Sequence, residues 1–214
     1  MKRSKVITLI CAAIAIIIYT VGYFGMTGAE AMWFAKLTPF TLVLSAILLA
    51  ITHGKISLKD VLIVLLAGAI GFGAEVVGVA TGEVFGSYHY GESLGPKWFG
   101  VSLVIGLNWA ILTYCTMVIS SAISKNSWVK ASMGAALMVA IDILIEPVAI
   151  QLDFWHWKGG DLPPMQNYLA WFVIAFLVHL IAQKIRSNVK NNFSIILFFI
   201  MVVFFSLLNF KVLW

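Results

Sequence analysis

The chain has 214 residues, of which 62% are hydrophobic and 11% charged, and its mean hydropathy is +1.01. This composition excludes an ordinary soluble domain, because its apolar runs are long enough to cross a bilayer. We interpret the net charge of +5 as a signal of membrane topology and expect no nucleic-acid partner. No linker or low-complexity block divides the sequence, so residues 1–214 are expected to form a single integral membrane domain.

Seven apolar stretches follow one another along the chain, and each is long enough to predict a transmembrane helix. The first stretch also resembles the apolar part of a signal peptide, but it contains no convincing cleavage site, so we expect it to be retained. The predicted fold is therefore all-α, a polytopic membrane protein built as a bundle of about seven transmembrane helices. The predicted spans are Val6–Met26, Leu37–Ile51, Val61–Thr81, Trp98–Ile119, Val129–Ile150, Tyr168–Gln183 and Phe193–Phe210.

Basic residues are distributed unevenly between the two ends of these spans, ten at one end and four at the other. Because positively charged loops remain in the cytoplasm, we predict a multi-pass protein of the cell membrane with a cytoplasmic N-terminus and an exterior C-terminus. Asp161 then lies in an exterior loop. The cytoplasmic set is Lys2, Arg3, Lys5, Lys55, Lys59, Lys125, Lys130, Lys184, Arg186 and Lys190, and the exterior set is Lys36, Lys97, Lys158 and Lys211.

Three carboxyl groups interrupt the spans at similar depth: Glu75 in the third, and Asp142 and Glu146 in the fifth. Each costs about 2.5 to 3.5 kcal/mol in hydrocarbon, so such residues usually face a bundle interior and have a function there. Asp142 and Glu146 are four residues apart and share one helix face. Gly71 and Gly78 lie on the stripe of Glu75 and allow a neighbouring helix to approach. Like charges crowded in low dielectric cannot all ionise, so we expect at least one acid to keep its proton.

Polar and aromatic residues surround the predicted depth of these acids. Asn108 reaches it from the fourth span, and the glycine-rich loop 81–90 and the loop 153–157 are expected to converge above it as a lid. Two simpler interpretations stay open: the acids only bridge helices, and the aromatic residues only form an interfacial belt. The predicted substrate-binding residues are Tyr88, Tyr90, Asn108, Trp109, Trp155 and Trp157.

Five short segments that contain polar residues, in this order along the chain, carry a resemblance to a known family. They are Glu75–Tyr90, Gly95-Pro96, Leu107-Asn108-Trp109, Asp142–Pro147 and Trp155-His156-Trp157. Together, over roughly residues 70–170, the chain resembles the carotenoid biosynthesis proteins of the CruF type, which include bisanhydrobacterioruberin hydratase and carotenoid 1,2-hydratases. The resemblance implies a hydro-lyase that adds water across the terminal carbon–carbon double bond of an acyclic carotene end, giving a tertiary alcohol. It implies no redox cofactor and, as partners, a lipophilic carotenoid, water and membrane lipid.

The residue types suit this chemistry. We predict Glu75, Asp142 and Glu146 as the catalytic residues, with one protonated acid donating a proton and an ionised one activating water, although the sequence does not assign these parts. Asn108 or Tyr88 is expected to position the water, and an aromatic face of Trp109, Trp155 or Trp157 to stabilise the cation. With four histidines and no paired spacing, we expect no metal site. A carotene cyclase that begins with the same protonation, or a transporter or proton relay, stays open as an alternative.

Overall fold

The computed structural model describes residues 2–160 and 162–213, so Asp161 of the predicted exterior loop lies outside the described residues. Within these ranges seven segments are long and apolar enough to cross a membrane, with α2 and α3 forming one of them. The predicted fold, a bundle of about seven transmembrane helices, is thus confirmed. The helices are α1 (Lys2–Met26), α2 (Ala31–Ala35), α3 (Thr38–His53), α4 (Leu58–Thr81), α5 (Val104–Ile123), α6 (Ser127–Gln151), α7 (Met165–Ile185) and α8 (Asn192–Leu213).

Local sequence signals explain where several helices begin and end. The α4 helix begins at a capping box of Ser57 and Asp60, in which the Asp60 carboxylate accepts from the Ser57 backbone N–H at 2.9 Å and from the Ser57 hydroxyl at 2.6 Å. It ends at Gly82, whose φ of 73° is in the left-handed region that glycine adopts without strain. At the start of α6, the Asn126 side chain accepts hydrogen bonds from two backbone N–H groups of the first turn. These capped helix ends fix the positions of the α4 and α6 side chains along the axis of the bundle.

The predicted fourth span begins too early. Trp98 belongs to a short hairpin in which β2 (Lys97–Trp98) pairs with β3 (Val101–Ser102), and the helix begins only at Val104. Phe99 and Gly100 at the turn both have positive φ, which breaks any helix there. Hydropathy alone does not detect this delayed helix start, because Trp98, Phe99 and Val101 of the hairpin are themselves apolar or aromatic.

A second strand pair joins two distant loops. β1 (Tyr88–Tyr90) pairs antiparallel with β4 (Trp155–Trp157), so the loop after α4 and the loop after α6 meet, as the sequence predicted. We call this end of the bundle, with residues 82–103 and 152–160, the loop end.

The α5 helix lies at the centre of the bundle. It contacts α3, α4, α6, α7 and α8, and many of its side chains are fully buried. Close approach to α4 depends on small residues: a Cβ atom added at Gly68 would lie 2.9 Å from the backbone oxygen of Gly106. Helices α4 and α6, which carry the acids, therefore flank the same central helix.

A polar network ties the helices together at the end opposite the loops. The Asp60 carboxylate pairs with Arg186 just after α7, and it lies 3.3 Å from His53 Nε2 at the end of α3. The other ring nitrogen of His53 is 2.6 Å from the Tyr114 hydroxyl of α5. Asn191 donates to the same hydroxyl at 3.2 Å, which connects the start of α8. This network fixes the helix ends far from the acids.

Candidate active site

The three predicted catalytic acids lie together near the loop end. Glu75, Asp142 and Glu146 are at most 4% exposed, and all three line one cavity of about 20 Å³. A water molecule needs about 10–15 Å³ of such volume, so the cavity accommodates about one. Around it lie side chains of α4, α5, α6, α7 and the β1–β4 pair. The cavity lining is Glu75, Tyr88, Tyr90, Ile105, Asn108, Asp142, Ile145, Glu146, Trp155, Trp157, Asn167 and Trp171.

Glu75 accepts hydrogen bonds on both carboxylate oxygens. Oε2 accepts from the Tyr88 hydroxyl and, at 2.9 Å, from the Tyr90 hydroxyl. Oε1 accepts from the indole Nε1 of Trp109 at 3.3 Å. The three donors come from two segments that are far apart in the sequence, and they fix the carboxylate in one orientation.

Burial, followed by the charge of Glu75, raises the pKa of Tyr88 and of Tyr90 well above that of an ordinary tyrosine. Both hydroxyls therefore keep their protons across the physiological range and remain donors to the carboxylate.

Asp142 and Glu146 share a single amide. Asn167 in the first turn of α7 donates through Nδ2 to Asp142 Oδ2 at 3.0 Å and to Glu146 Oε1 at 3.2 Å. Sequence reasoning missed Asn167, because the predicted sixth span began at Tyr168 and left Asn167 in the adjoining loop. A helix start assigned a few residues earlier would have placed it at the depth of the acids.

Glu146 differs from Asp142 in its remaining partners. Its Oε2 accepts from the indole nitrogens of Trp155 at 3.1 Å and Trp157 at 2.9 Å. Among the residues that the structure describes, none donates to the other oxygen of Asp142, Oδ1. Glu146 thus accepts three hydrogen bonds and Asp142 accepts one.

The strand pairing explains how four aromatic side chains reach the acids. Successive residues of a strand point to opposite faces. Tyr88 lies opposite Trp157 and Tyr90 lies opposite Trp155, so all four side chains share one face and reach the acids. His89 and His156, which pair between them, are on the other face, away from the cavity. The pattern Tyr-x-Tyr paired with Trp-x-Trp therefore forms the roof of the site.

Trp109 occupies a different place from the other predicted binding residues. It is fully buried, its ring stacks on Trp171 with centroids 4.1 Å apart, and its indole faces Glu75. Trp171 lines the cavity and covers the ring of Trp109. A Cβ atom added at Gly71 would lie 2.1 Å from Trp109 Cγ, so glycine there is what admits the indole. Trp109 holds Glu75 in position.

Asn108 lies where the cavity meets an apolar cleft between α1, α3 and α8, and it lines both spaces. No described residue makes a hydrogen bond to its side-chain amide, which is half-buried. This amide is therefore free to bind a water molecule or another small polar group.

Asp153 stabilises the loop end. Its carboxylate accepts from the Glu92 backbone N–H at 2.8 Å and contacts His156 Nε2 at 2.8 Å, which ties the two loops together. Partial burial opposes the charge, yet these hydrogen bonds and the nearby charges of His156 and Lys97 hold the pKa of Asp153 below its ordinary value. The carboxylate is thus ionised at neutral pH.

Comparison with known proteins identifies the family of the chain. Residues 37–214 match the family model described as carotenoid biosynthesis protein, and this range includes every residue of the cavity. The chain belongs to the carotenoid biosynthesis protein family.

The chain is also similar to the bisanhydrobacterioruberin hydratase of Haloarcula japonica, with 26% identity over 113 residues. The match covers 48% of this chain and 37% of that protein, so the chain spans little more than a third of the relative's length. No solved structure matches the chain.

Proposed function

We propose that this family member is a carotenoid hydratase, which adds water across the terminal double bond of an acyclic carotene end to give a tertiary alcohol. One observation carries the proposal: three buried carboxyl groups surround a cavity of about one water molecule, under an aromatic roof. The hydratase named among its relatives supports the reaction type. The acids supply proton transfer from the chain itself, so the proposed reaction uses no redox cofactor.

The hydrogen-bond pattern supports Asp142 as the proton donor. Glu75 and Glu146 each accept three hydrogen bonds from groups that stabilise a negative charge, whereas Asp142 accepts one. With its Oδ1 free of donors among the described residues, Asp142 is the acid with room for a proton. It donates that proton to the less substituted carbon of the double bond, which leaves a tertiary cation at the neighbouring carbon.

Glu146 is proposed as the base. Water in the cavity attacks the cation, and Glu146 accepts the proton that the water loses as the new carbon–oxygen bond forms. A proton then passes from Glu146 to Asp142, and the short path between them runs beside Asn167, which contacts both. This return leaves the site as it began, with one water consumed for each alcohol formed.

Glu75 and the aromatic roof are proposed to stabilise the cation. The carboxylate of Glu75 supplies a fixed negative charge in a low-dielectric site, where such a charge has its largest effect. The faces of Trp155 and Trp157 add a cation–π contribution of about 0.5 to 2 kcal/mol. The free amide of Asn108 is placed to orient the attacking water.

Isotope labelling tests the reaction. The purified protein, supplied anaerobically with an acyclic carotene in labelled water, is expected to form a tertiary alcohol whose hydroxyl oxygen carries the label. Label from molecular oxygen would contradict hydration, and an isomer without added oxygen would indicate a cyclase instead. Substrate that crosses vesicles unchanged would indicate a transporter.

We further propose that the loop end faces the cell exterior. In the fold, Lys55, Lys59, Lys125 and Arg186 lie at or near the opposite helix ends, which is where a cytoplasmic surface would carry positive charge. A lipophilic substrate would then reach the acids from the outer half of the membrane.

A further inference from the structure

The cavity of the acids adjoins an apolar cleft of about 70 Å³. Four residues line both spaces, so the two are direct neighbours: Ile105, Asn108, Ile145 and Trp155. The rest of the cleft wall comes from α1, α3, α8 and the loop end and is mostly apolar, apart from the hydroxyl groups of Tyr19, Thr38 and Thr41. An apolar molecule in the cleft would therefore lie next to the cavity of the acids.

A second apolar space lies next to this cleft. A groove of about 630 Å³ runs between α1 and α8 on the outside of the bundle, lined by residues such as Ile196, Phe199 and Val203. Cleft and groove share Tyr19 and Phe204, whose rings meet edge to face with centroids 5.1 Å apart. From residue 195 to residue 207 the groove follows about 18 Å of the α8 axis at 1.5 Å per residue.

We propose that the groove and the cleft form one binding path for the polyene chain of the substrate, with a crossing point at Tyr19 and Phe204. The reacting end occupies the cleft against Asn108 and Trp155, and the rest of the chain lies in the groove, one side towards lipid. This inference rests on the proposed function for the identity of the occupant. The shared lining residues support this occupant, because a long, thin, apolar molecule is the shape that extends from beside the acids through a narrow cleft into a lipid-facing groove.

The path makes chain length a determinant of binding. A short acyclic terpene with the same terminal double bond fits within the cleft, whereas a full carotene must also use the crossing point and the groove. A residue that fills the crossing point should therefore discriminate between the two.

Gly22 provides that substitution. A Cβ atom at this position would lie 3.6 Å from Phe204 Cε2, in ordinary contact, so Gly22→Ala is tolerated and Gly22→Leu extends into the crossing point. Gly73 on α4 is the matched control, because it is also an intramembrane helical glycine but has no atom within 4 Å of an added Cβ. Val203→Trp is a second variant, which fills the groove from a lipid-facing position that is 55% exposed and does not disturb the core.

The test has a binding and a turnover measurement, both at matched protein levels. Carotene retained on the purified protein, and turnover of carotene relative to the short terpene, are expected to fall about tenfold or more in Gly22→Leu and Val203→Trp. Gly73→Leu should stay close to the unmodified protein, and Gly22→Ala should lose less than Gly22→Leu because its side chain extends less far into the crossing point. Equal retention in all variants, or equal loss of both substrates, would overturn the binding path. Retention that depends on Gly22 without formation of any alcohol would instead overturn the proposed hydration and leave the path in place.

Discussion

The three buried carboxyl groups are chemically alike in the sequence but have different surroundings in the fold. Glu75 is bound by two tyrosines and an indole, Glu146 by two indoles and an amide, and Asp142 by one amide. Hydrogen bonds to a carboxylate favour its ionised form, so unequal donor numbers separate acids that would otherwise compete for one proton. At the scale of single residues, the proposed roles of the three acids therefore follow from the number of hydrogen-bond donors around each one.

Replacing each acid by its amide removes the proton chemistry while nearly preserving size. We expect Asp142→Asn and Glu146→Gln to lower hydration by about 10²–10⁴-fold, the usual contribution of a general acid or base. Glu75→Gln should also be impaired, because it removes the fixed charge. Carotene turnover and membrane accumulation are measured together. Near-normal turnover by all three variants would mean that these carboxyl groups only hold helices together.

Tyr88→Phe is expected to be milder than any of the acid variants. Tyr90 donates to the same oxygen of Glu75, so the carboxylate keeps a hydroxyl partner when the Tyr88 hydroxyl is lost. We expect a loss of about tenfold, close to the lower end of the about 1.5–3 kcal/mol that one hydrogen bond to a charged group contributes. The double variant Tyr88→Phe with Tyr90→Phe should lose more than the two single losses combined. Simple additivity would show that the hydroxyls do not act through Glu75.

Individual helices position these residues. The α4 helix positions Glu75 through the spacing of its glycines. Gly71 admits Trp109, and Gly78 admits the ring of Phe85, since an added Cβ would lie 2.6 Å from Phe85 Cδ2. Glu75 lies between them on the same face. The helix thus presents its acid to the bundle interior with one neighbour on either side.

Gly71→Ala should displace Trp109 and weaken its hydrogen bond to Glu75. Gly73→Ala is the matched control on the same helix, because Gly73 faces open space. Both changes raise helix propensity equally, by about 1 kcal/mol, so any difference comes from packing. We expect lower turnover and a changed tryptophan fluorescence only in Gly71→Ala. Identical behaviour of the two variants would show that the Trp109 contact has no role.

The strand pair at the loop end should be sensitive to acid through Asp153. Its pKa is lower in the folded protein than in an unfolded chain, so its stabilising effect is present above the ordinary aspartate value of about 3.9 and is lost as the pH falls through the lowered value. Asp153→Asn should therefore have a lower Tm at pH 7, and the difference should disappear in acid. Glu83→Gln, at an exposed acid of the neighbouring loop, is the control. A pH-independent difference would contradict the role of the charge.

The whole molecule combines an apolar exterior with polar groups at its two ends. One end carries the strand pairs above the acids, and the other carries the network of Asp60, Arg186, His53 and Tyr114. The proposed binding path leads from the groove on α1 and α8 to the acid end. Along this path a substrate that is dissolved in the membrane would reach the site without crossing water.

The orientation of the molecule is tested with reporter fusions. A reporter after Lys125, between α5 and α6, is expected in the cytoplasm, and one after Gly160, between α6 and α7, is expected outside. Reporters on the same side would contradict the seven-span topology. The reverse assignment would keep the fold and invert the proposed side of the loop end.

The sequence by itself determined the class of protein, the approximate spans and the candidate acids. These properties are local: hydropathy accumulates along one segment, and the cost of an ionisable group in hydrocarbon depends mainly on its position within a span. The glycines beside Glu75 and the spacing of Asp142 and Glu146 also follow from one helix. For this reason the predicted acids and most predicted binding residues meet in one cavity.

Only the tertiary structure decided which partners each of those residues has. The bridging position of Asn167, the burial of Trp109 beneath Trp171 and the register of β1 on β4 depend on segments that are far apart in the chain. The hairpin that delays α5 and the contact of Tyr19 with Phe204, where the proposed binding path crosses, depend on the same long-range packing. Hydropathy and spacing describe one helix at a time, so neither specifies which donors from other helices and loops meet each acid.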